Sequence, residues 1–325
     1  MMPSTPPPAG GESSAASRHV PVLLAEVQAL LAPVAGCIVD CTLGLGGHAA
    51  ALLAAHPSRT LIGLDRDPDA LALARERLAP FADRITLVHG GFADLGRHLE
   101  ACGRTTVDGL IADLGVSSMQ LDEAHRGFAF RLDGPLDMRM DGASTDASPT
   151  AADWIDAWSE DELARWIRIA GDEPHARRIA RAIVAAHAEA PIATTARLAA
   201  VVEQAVPQRP RRSRAGRRRP VHPATRTFQA LRIAVNGELD QLDALLAQLP
   251  QRLAPNGRAA MLSYHSLEDR RVKHAFRDGV RGVPDPITGA PTPGSQIYAS
   301  LTRRALRPGD DEIIRNPRAR SARLR

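Results

Sequence analysis

A parallel, doubly wound α/β sheet carrying an inserted helical domain is the fold this sequence predicts. Three observations predict it. Short apolar runs at 38–39, 61–64, 85–88 and 107–112 alternate with stretches of helical character, as in strands joined by helical crossovers. The first run opens onto Gly44-Leu45-Gly46-Gly47, a glycine turn at a strand end, where such sheets gather their ligands. The rhythm then stops near residue 119, gives way to helical periodicity until about 221, and resumes afterwards.

Taken in order, residues 1–17 are rich in Pro, Gly, Ser and Ala and cannot bury enough apolar surface to repay ordering. A disordered tail is expected there. A helix with Leu23, Val27, Leu30 and Leu31 on one face follows. Next comes Cys37-Ile38-Val39-Asp40, then three glycines within four positions, then a helix over 49–55 whose first N–H groups point into the turn. Nineteen residues after Gly46, a second strand ends on Asp65, placed to accept hydrogen bonds from ribose hydroxyls. Strand, turn and acid together predict a nucleotide-type cofactor site.

The glycines alone leave the cofactor open, because Gly44-x-Gly46-x-x-Ala49 also fits a looser dinucleotide fingerprint and an NAD-dependent oxidoreductase. Asp40, just ahead of the loop, points away from that choice. A carboxylate suits a cationic aminoacyl-sulfonium ligand better than a pyrophosphate. Asp40-x-x-x-Gly44-x-Gly46 also resembles the first motif of Rossmann-like methyltransferases, with Thr42 in a slot often held by glycine.

Asp67-Pro68 open a further helix, with proline in its first turn. The third strand, 85–88, leads to Phe92, which reads equally as a cover for an adenine face or as a core aromatic. The fourth, 107–112, ends on Asp113. Residues 126–140 show no regular period and read as an ordered loop. Ser159 with Glu162 forms a capping box opening one helix, Pro174 begins another, and Thr194-Thr195 cap a third. This helical insertion is expected over 119–221.

Within it lie Arg211, Arg212, Arg214, Arg217, Arg218 and Arg219. Read as a solvated loop or as a phosphate-binding one, the segment carries the strongest local charge of a chain whose net charge is only +4. A long amphipathic helix is expected from Thr225 through Leu246, then a turn at 253–257 and a fifth strand over 259–263 ending on Tyr264-His265-Ser266. Ser266 and Asp269 are placed to cap the helix after it, and 297–306 and 322–325 to supply the last, antiparallel strands.

Composition excludes several classes. Hydrophobic content of 44% is that of a globular chain. Cys37, Cys41 and Cys102 form no second ligand pair, so free thiols in a reducing compartment are expected and no metal site. No apolar run approaches membrane-spanning length and no signal peptide opens the chain, which predicts a cytoplasmic protein without membrane contact.

The strings now assembled resemble one family, the bacterial small-subunit (16S) ribosomal RNA cytosine-N4 methyltransferases. The resemblance rests on 19–24, 44–48, Asp65-Arg66-Asp67-Pro68, 113–120, Arg126-Gly127-Phe128, 133–141, 222–236, 263–270 and 316–321. It implies a Rossmann-like class I methyltransferase sheet and S-adenosylmethionine as cofactor. Cofactor contacts are implied for Gly46, Gly47, His48, Asp65, Phe92, Asp113 and Gln120. The catalytic domain then comprises 18–118 and 222–325, and 119–221 recognises substrate. The implied partner is 16S ribosomal RNA, within the small subunit or free of it; homo-oligomers stay open. Cys41 stands where glycine is usual, and the arginine segment is longer and more basic than typical.

For the chemistry, an acceptor must orient the exocyclic amine of cytosine. Amino-methyltransferases often place Asp or Asn, two prolines and an aromatic at the end of the fourth strand; here only the acid, Asp113, is present. Asp113 is the expected orienting group, with Tyr264 as substitute aromatic and His265 to position the base or take the proton. The alternatives are a cofactor-only contact for Asp113 and a structural hydrogen bond for His265. A non-catalytic RNA-binding assembly protein would account for the arginines but not for these polar strand ends.

Overall fold

The computed structural model describes residues 20–142, 148–207 and 222–325. The predicted tail over 1–17, His19 of the first string and the arginine segment 211–219 lie outside the described residues. Six strands form one sheet in the order β3-β2-β1-β4-β5-β6. They are β1 (Cys37–Asp40), β2 (Thr60–Asp65), β3 (Ile85–His89), β4 (Val107–Asp113), β5 (Leu253–Ser263) and β6 (Arg323–Leu324). The first five run parallel and β6 antiparallel. This is the class I methyltransferase fold.

The chain winds outward from β1 to β3, then returns to lay β4 against the other side of β1, with Val39 opposite both Ile62 and Leu110. The direction of winding reverses between β1 and β4, and that crevice, beyond the carboxyl ends, is where this architecture binds ligands. β1 is buried along its whole length, as a central parallel strand must be.

Helix α1 (Leu24–Leu31) precedes the sheet, and α2 (Gly47–Ala55), α3 (Pro68–Arg77) and α4 (Leu95–Ala101) are the crossovers. Arg59, fully buried, ties α1 and α2 together by donating to the Leu31, Ala32 and Leu52 carbonyls as well as to Val34. It satisfies carbonyls that helix ends leave without partners.

After β4 come α5 (Ser118–Asp122), α6 (Ala151–Ala157), α7 (Glu160–Gly171), α8 (Ala176–Glu189) and α9 (Thr195–Ala205). The caps read from sequence at Ser159 and Thr194 are present. Ser117 with Gln120 and Thr150 with Asp153 form two further capping boxes, opening α5 and α6. Ile155, Leu163, Ile167, Ile179, Ile183 and Leu198 face one helical core, which Phe128, Leu136 and Met138 enter from the irregular loop.

The single amphipathic helix expected over 225–246 is two. α10 (Ala224–Asn236) ends and α11 (Glu238–Arg252) begins at Gly237, which adopts φ 58°. Apolar spacing runs on unbroken across this point, but glycine admits the left-handed turn and Asn236 turns its amide to the 138–140 loop. The two halves serve different cores. α10 packs Phe228 and Leu231 into the helical core, whereas α11 packs Leu242, Leu245 and Leu249 on the sheet. The helical core thus extends past residue 221.

At the other end, α12 (Ser266–Arg281) is capped by His265 with Glu268, not by Ser266 and Asp269. Asp269 instead binds Arg323 and Arg325, which fixes β6 beside β5. Residues 297–306 form no strand; only Leu306 bridges to Leu324. Ile297 and Leu301 there are exposed, so the segment has no buried face to pin a register. A short helix, α13 (Asp310–Arg315), precedes β6. No helix among the described residues is long and apolar enough to cross a membrane.

Candidate functional site

A cavity of about 360 Å³ opens at the β1/β4 crevice, a size that holds a small molecule or cofactor. Its first wall is the glycine turn. Cys41 N–H donates to Ile111 and Leu43 N–H to Leu64, so the turn is stitched to both neighbouring strands. Gly46 has φ 72°, and a Cβ there would lie 2.9 Å from Leu78. Its contribution is to shape the turn; it does not line the cavity, whereas Gly47 and His48 do.

His48 is buried, yet neither ring nitrogen has a hydrogen-bond partner. Nε2 lies 3.7 Å from Asp113 Oδ2. A buried polar group without a hydrogen-bond partner in a cavity wall is a place for a ligand atom or an ordered water.

Asp65, at the end of β2, accepts from Gly44 N–H at 2.7 Å and from Asp67 N–H at 2.9 Å, one on each oxygen. A carboxylate has about four lone-pair sites, so acceptor capacity remains toward the cavity. Burial raises its pKa, against the pull of those two N–H groups. Phe92, half-buried in the turn after β3, lines the cavity and also packs on the sheet core.

Asp67 caps α3 through one oxygen and with the other receives Arg126 at 2.8 Å and Gln120 at 3.1 Å. Arg126 donates onward to the Arg139 and Met140 carbonyls, and Asn236 clamps Met138 and Met140 from the far side. The irregular loop is therefore held against the cofactor side by buried polar bonds. Gln120 is occupied in this network and in its own capping box while still lining the cavity.

Asp113 ends β4 with its N–H on Thr42 Oγ1. Tyr264 donates its phenol proton to Asp113 Oδ1 at 2.7 Å, and burial beside that carboxylate raises the phenol pKa further. Tyr264 N–H in turn donates to Glu268. His265 caps the same turn, accepting from Glu268 N–H, and it lies outside the cavity lining. Glu268 is held below the ordinary carboxylate range: burial pushes it up, but His265, Arg232 and the Tyr264 N–H outweigh that. Of the pair expected to do the chemistry, only Asp113 faces the cavity.

Asp40 is also set back from the lining, accepting from Thr42 N–H at 3.1 Å. Burial pushes its carboxyl up to about 7, with His48 and that N–H pulling the other way. A carboxyl raised from 3.8 stays protonated in the fold after the unfolded chain has ionised, so its stabilisation is present below that value and lost as pH rises through about 7. Asp40→Asn is expected to flatten the fall in unfolding free energy between about pH 4 and pH 7. Urea titrations across that window check it; an undiminished fall would contradict the placement.

Asp67, Arg232, Asn236, Glu238 and Glu268 received no site role from sequence. Only Asp67 had a legible signal, the cap before Pro68. Arg232 and Glu238 form a bidentate pair, 2.7 Å on each arm, that closes the cavity wall across the α10–α11 break. Their pairing depends on a break the apolar spacing conceals.

Residues 16–325 match the MraW methylase family. Among curated proteins, a ribosomal RNA small subunit methyltransferase H of Sorangium cellulosum is 48% identical over 325 residues, covering 100% of this chain and 93% of the relative. Proteins of the same name from Thermobifida fusca and Anaeromyxobacter dehalogenans are 50% and 51% identical. Each match covers 96% of this chain, with 93% and 98% of the respective relative.

Proposed function

The chain belongs to the MraW methylase family, and from that premise we propose that it methylates the exocyclic N4 of a cytosine in small-subunit (16S) ribosomal RNA, with S-adenosylmethionine as donor. The relatives' names support the substrate class. One observation carries the cofactor reading: Asp65 and Asp113 face the cavity, and the buried His48 ring beside Asp113 has no hydrogen-bond partner. The lining arginines Arg66, Arg232 and Arg318 are each paired with a carboxylate, whereas Asp65 and Asp113 have no cationic Arg or Lys partner among the described residues, an arrangement that favours a cation over a pyrophosphate and disfavours an NAD-dependent oxidoreductase. A binding-only RNA protein has no use for such a cavity.

When bound, S-adenosylmethionine supplies an electrophilic methyl group. The protein's part is binding and orientation. Asp65 takes the ribose hydroxyls, Phe92 covers the adenine, and Gly46, Gly47 and His48 form the turn and helix start over the rest of the cofactor. Gln120 braces the opposite wall. The N4 lone pair of cytosine is delocalised into the ring, so an acceptor for its N–H must shift density back. Asp113 has that acceptor free beside its bond to Tyr264, whose proton stays in place because its pKa is raised. Tyr264 also offers an aromatic face to a base drawn out of its stack. His265, through Glu268, positions the turn that carries Tyr264 and does not touch the base.

We assign substrate recognition to the helical insertion over 119–221 and phosphate contact to the arginine segment 211–219. Segments 18–118 and 222–325 hold the cofactor, with Gln120 and Met140 of the insertion completing the cavity wall. A reaction on ribosomal RNA places the protein in the cytoplasm.

Asp65→Ala is expected to weaken S-adenosylmethionine binding by about 1.5–3 kcal/mol, the range for hydrogen bonds to a charged group. Calorimetry on the purified chain checks this. Tight NAD binding without S-adenosylmethionine binding would overturn the cofactor assignment.

A further inference from the structure

A second and larger cavity, of about 1010 Å³, lies away from the first, between the start of β5, helix α12 and the segment 296–304. Arg258, within its lining, and Tyr264 of the cofactor cavity stand six residues apart along and just past β5, about 20 Å at the rise of a strand. The wall is built, not incidental. Ile297 and Tyr298 N–H groups both donate to the Gly279 carbonyl, Gln296 donates to Val280, and the Tyr298 ring meets Phe276 edge-on at 5.9 Å. This strap locks 296–298 onto α12 and carries the chain onward to Arg303 and Arg304.

The charge of the lining is one-sided. Seven cationic side chains line it, and no Asp or Glu side chain does. Arg258 donates to the Leu30 carbonyl, Arg277 to Asp278 just outside the cavity, and Arg325 to Asp269. Arg281 shares the field of Asp278. Lys273, Arg303 and Arg304 are exposed and make no ion pair or hydrogen bond among the described residues. The floor adds the half-buried Tyr298 ring, and the rim adds exposed Ile297 and Leu301. Unpaired cations beside an aromatic ring and apolar edges are what single-stranded nucleic acid binds, through phosphates and stacked bases.

We propose that this cavity binds the sugar-phosphate backbone of a second segment of the RNA substrate, remote from the cytosine being methylated. The proposal rests on the ribosomal RNA reading given above. It also sets the size of the substrate: at about 3.4 Å per stacked nucleotide, a fragment of two or three nucleotides around the target cytosine reaches the first cavity alone, and a strand must run on for about six or more to reach both.

The test uses the full chain and a triple variant, Lys273→Ala with Arg303→Ala and Arg304→Ala, three exposed positions remote from the cofactor. Against full-length small-subunit ribosomal RNA the variant should bind at least about tenfold more weakly. Its slope of log affinity against log salt should fall by roughly 0.7 for each phosphate that is no longer neutralised. Methylation of a fragment of two or three nucleotides, too short to reach this cavity, should keep its kcat/KM. Lys273 is the only lysine of the chain, so its acylation reports directly on this cavity, and long RNA should protect it. Unchanged RNA affinity and salt slope, together with an unprotected Lys273, overturn the proposal. So does protection by anionic lipid vesicles in place of RNA. Binding and protection need no methyl transfer, so weaker binding by the variant and protection of Lys273 in the wild-type chain would uphold the cavity even if the chain methylated a different nucleotide.

Discussion

Asp113→Asn is expected to lower the single-turnover rate of methyl transfer by about 10²–10⁴-fold, the range for a group that handles a proton in the transition state. Cofactor and RNA are held saturating, so weaker binding does not enter the measurement. The substitution keeps the shape of the β4 end and the bond to Tyr264 but removes the charge that draws density back onto the amine. His265→Ala is the informative companion. It removes a cap from α12 and a neighbour of Glu268, so it should slow the reaction much less and lower stability by about 1 kcal/mol, as the removal of a cap does. If Asp113→Asn runs at a near wild-type rate, the orienting group is not at the end of β4 and must be sought in the 126–141 loop.

Arg126→Met is expected to cost about 3–5 kcal/mol of stability, because Asp67 would remain as a buried, uncompensated charge. Arg126 and Asp67 are 4% and 1% exposed, and the pair is the joint between the irregular loop and the head of α3. A second substitution separates charge from packing. Asp67→Asn added to Arg126→Met removes the stranded charge yet keeps a good N-cap, and should recover a large part of the loss. Urea unfolding of the single and double variants reads both. A loss below about 1 kcal/mol for the single variant would mean that the pair is already well solvated. Because the same guanidinium holds the Arg139 and Met140 carbonyls, cofactor affinity should fall with it.

Much of this was legible in the sequence because local chemistry and the fold agree there. Strand ends at Asp40, Asp65 and Asp113 are marked by short apolar runs that stop on an acid, and the caps at Asp67, Ser159 and Thr194 need only neighbours in the chain. The resemblance added His48 and Gln120, which line the cavity with Gly47 and with Phe92, already marked by its place after the third strand. What could not be read depends on distant partners. Nothing local distinguishes Asn236 as a clamp, since its partners lie almost a hundred residues back. The break at Gly237 is invisible to apolar spacing because both halves stay amphipathic, toward different cores. His265 misleads for the opposite reason: a histidine at a strand end looks like chemistry, yet here it caps a helix. Ser117-x-x-Gln120 fits the capping-box pattern, a signal that sequence reasoning missed, and it opens the short helix that places Gln120 at the cavity.

The central claim, transfer of a methyl group to cytosine N4 in small-subunit ribosomal RNA, is tested most directly by nucleoside mass spectrometry. The measurement compares that RNA from cells with and without the gene. One N4-methylated cytidine species should disappear on deletion, return with the wild-type chain, and stay absent with Asp113→Asn. N4-methylated cytidine at undiminished levels in the deletion strain would contradict the account.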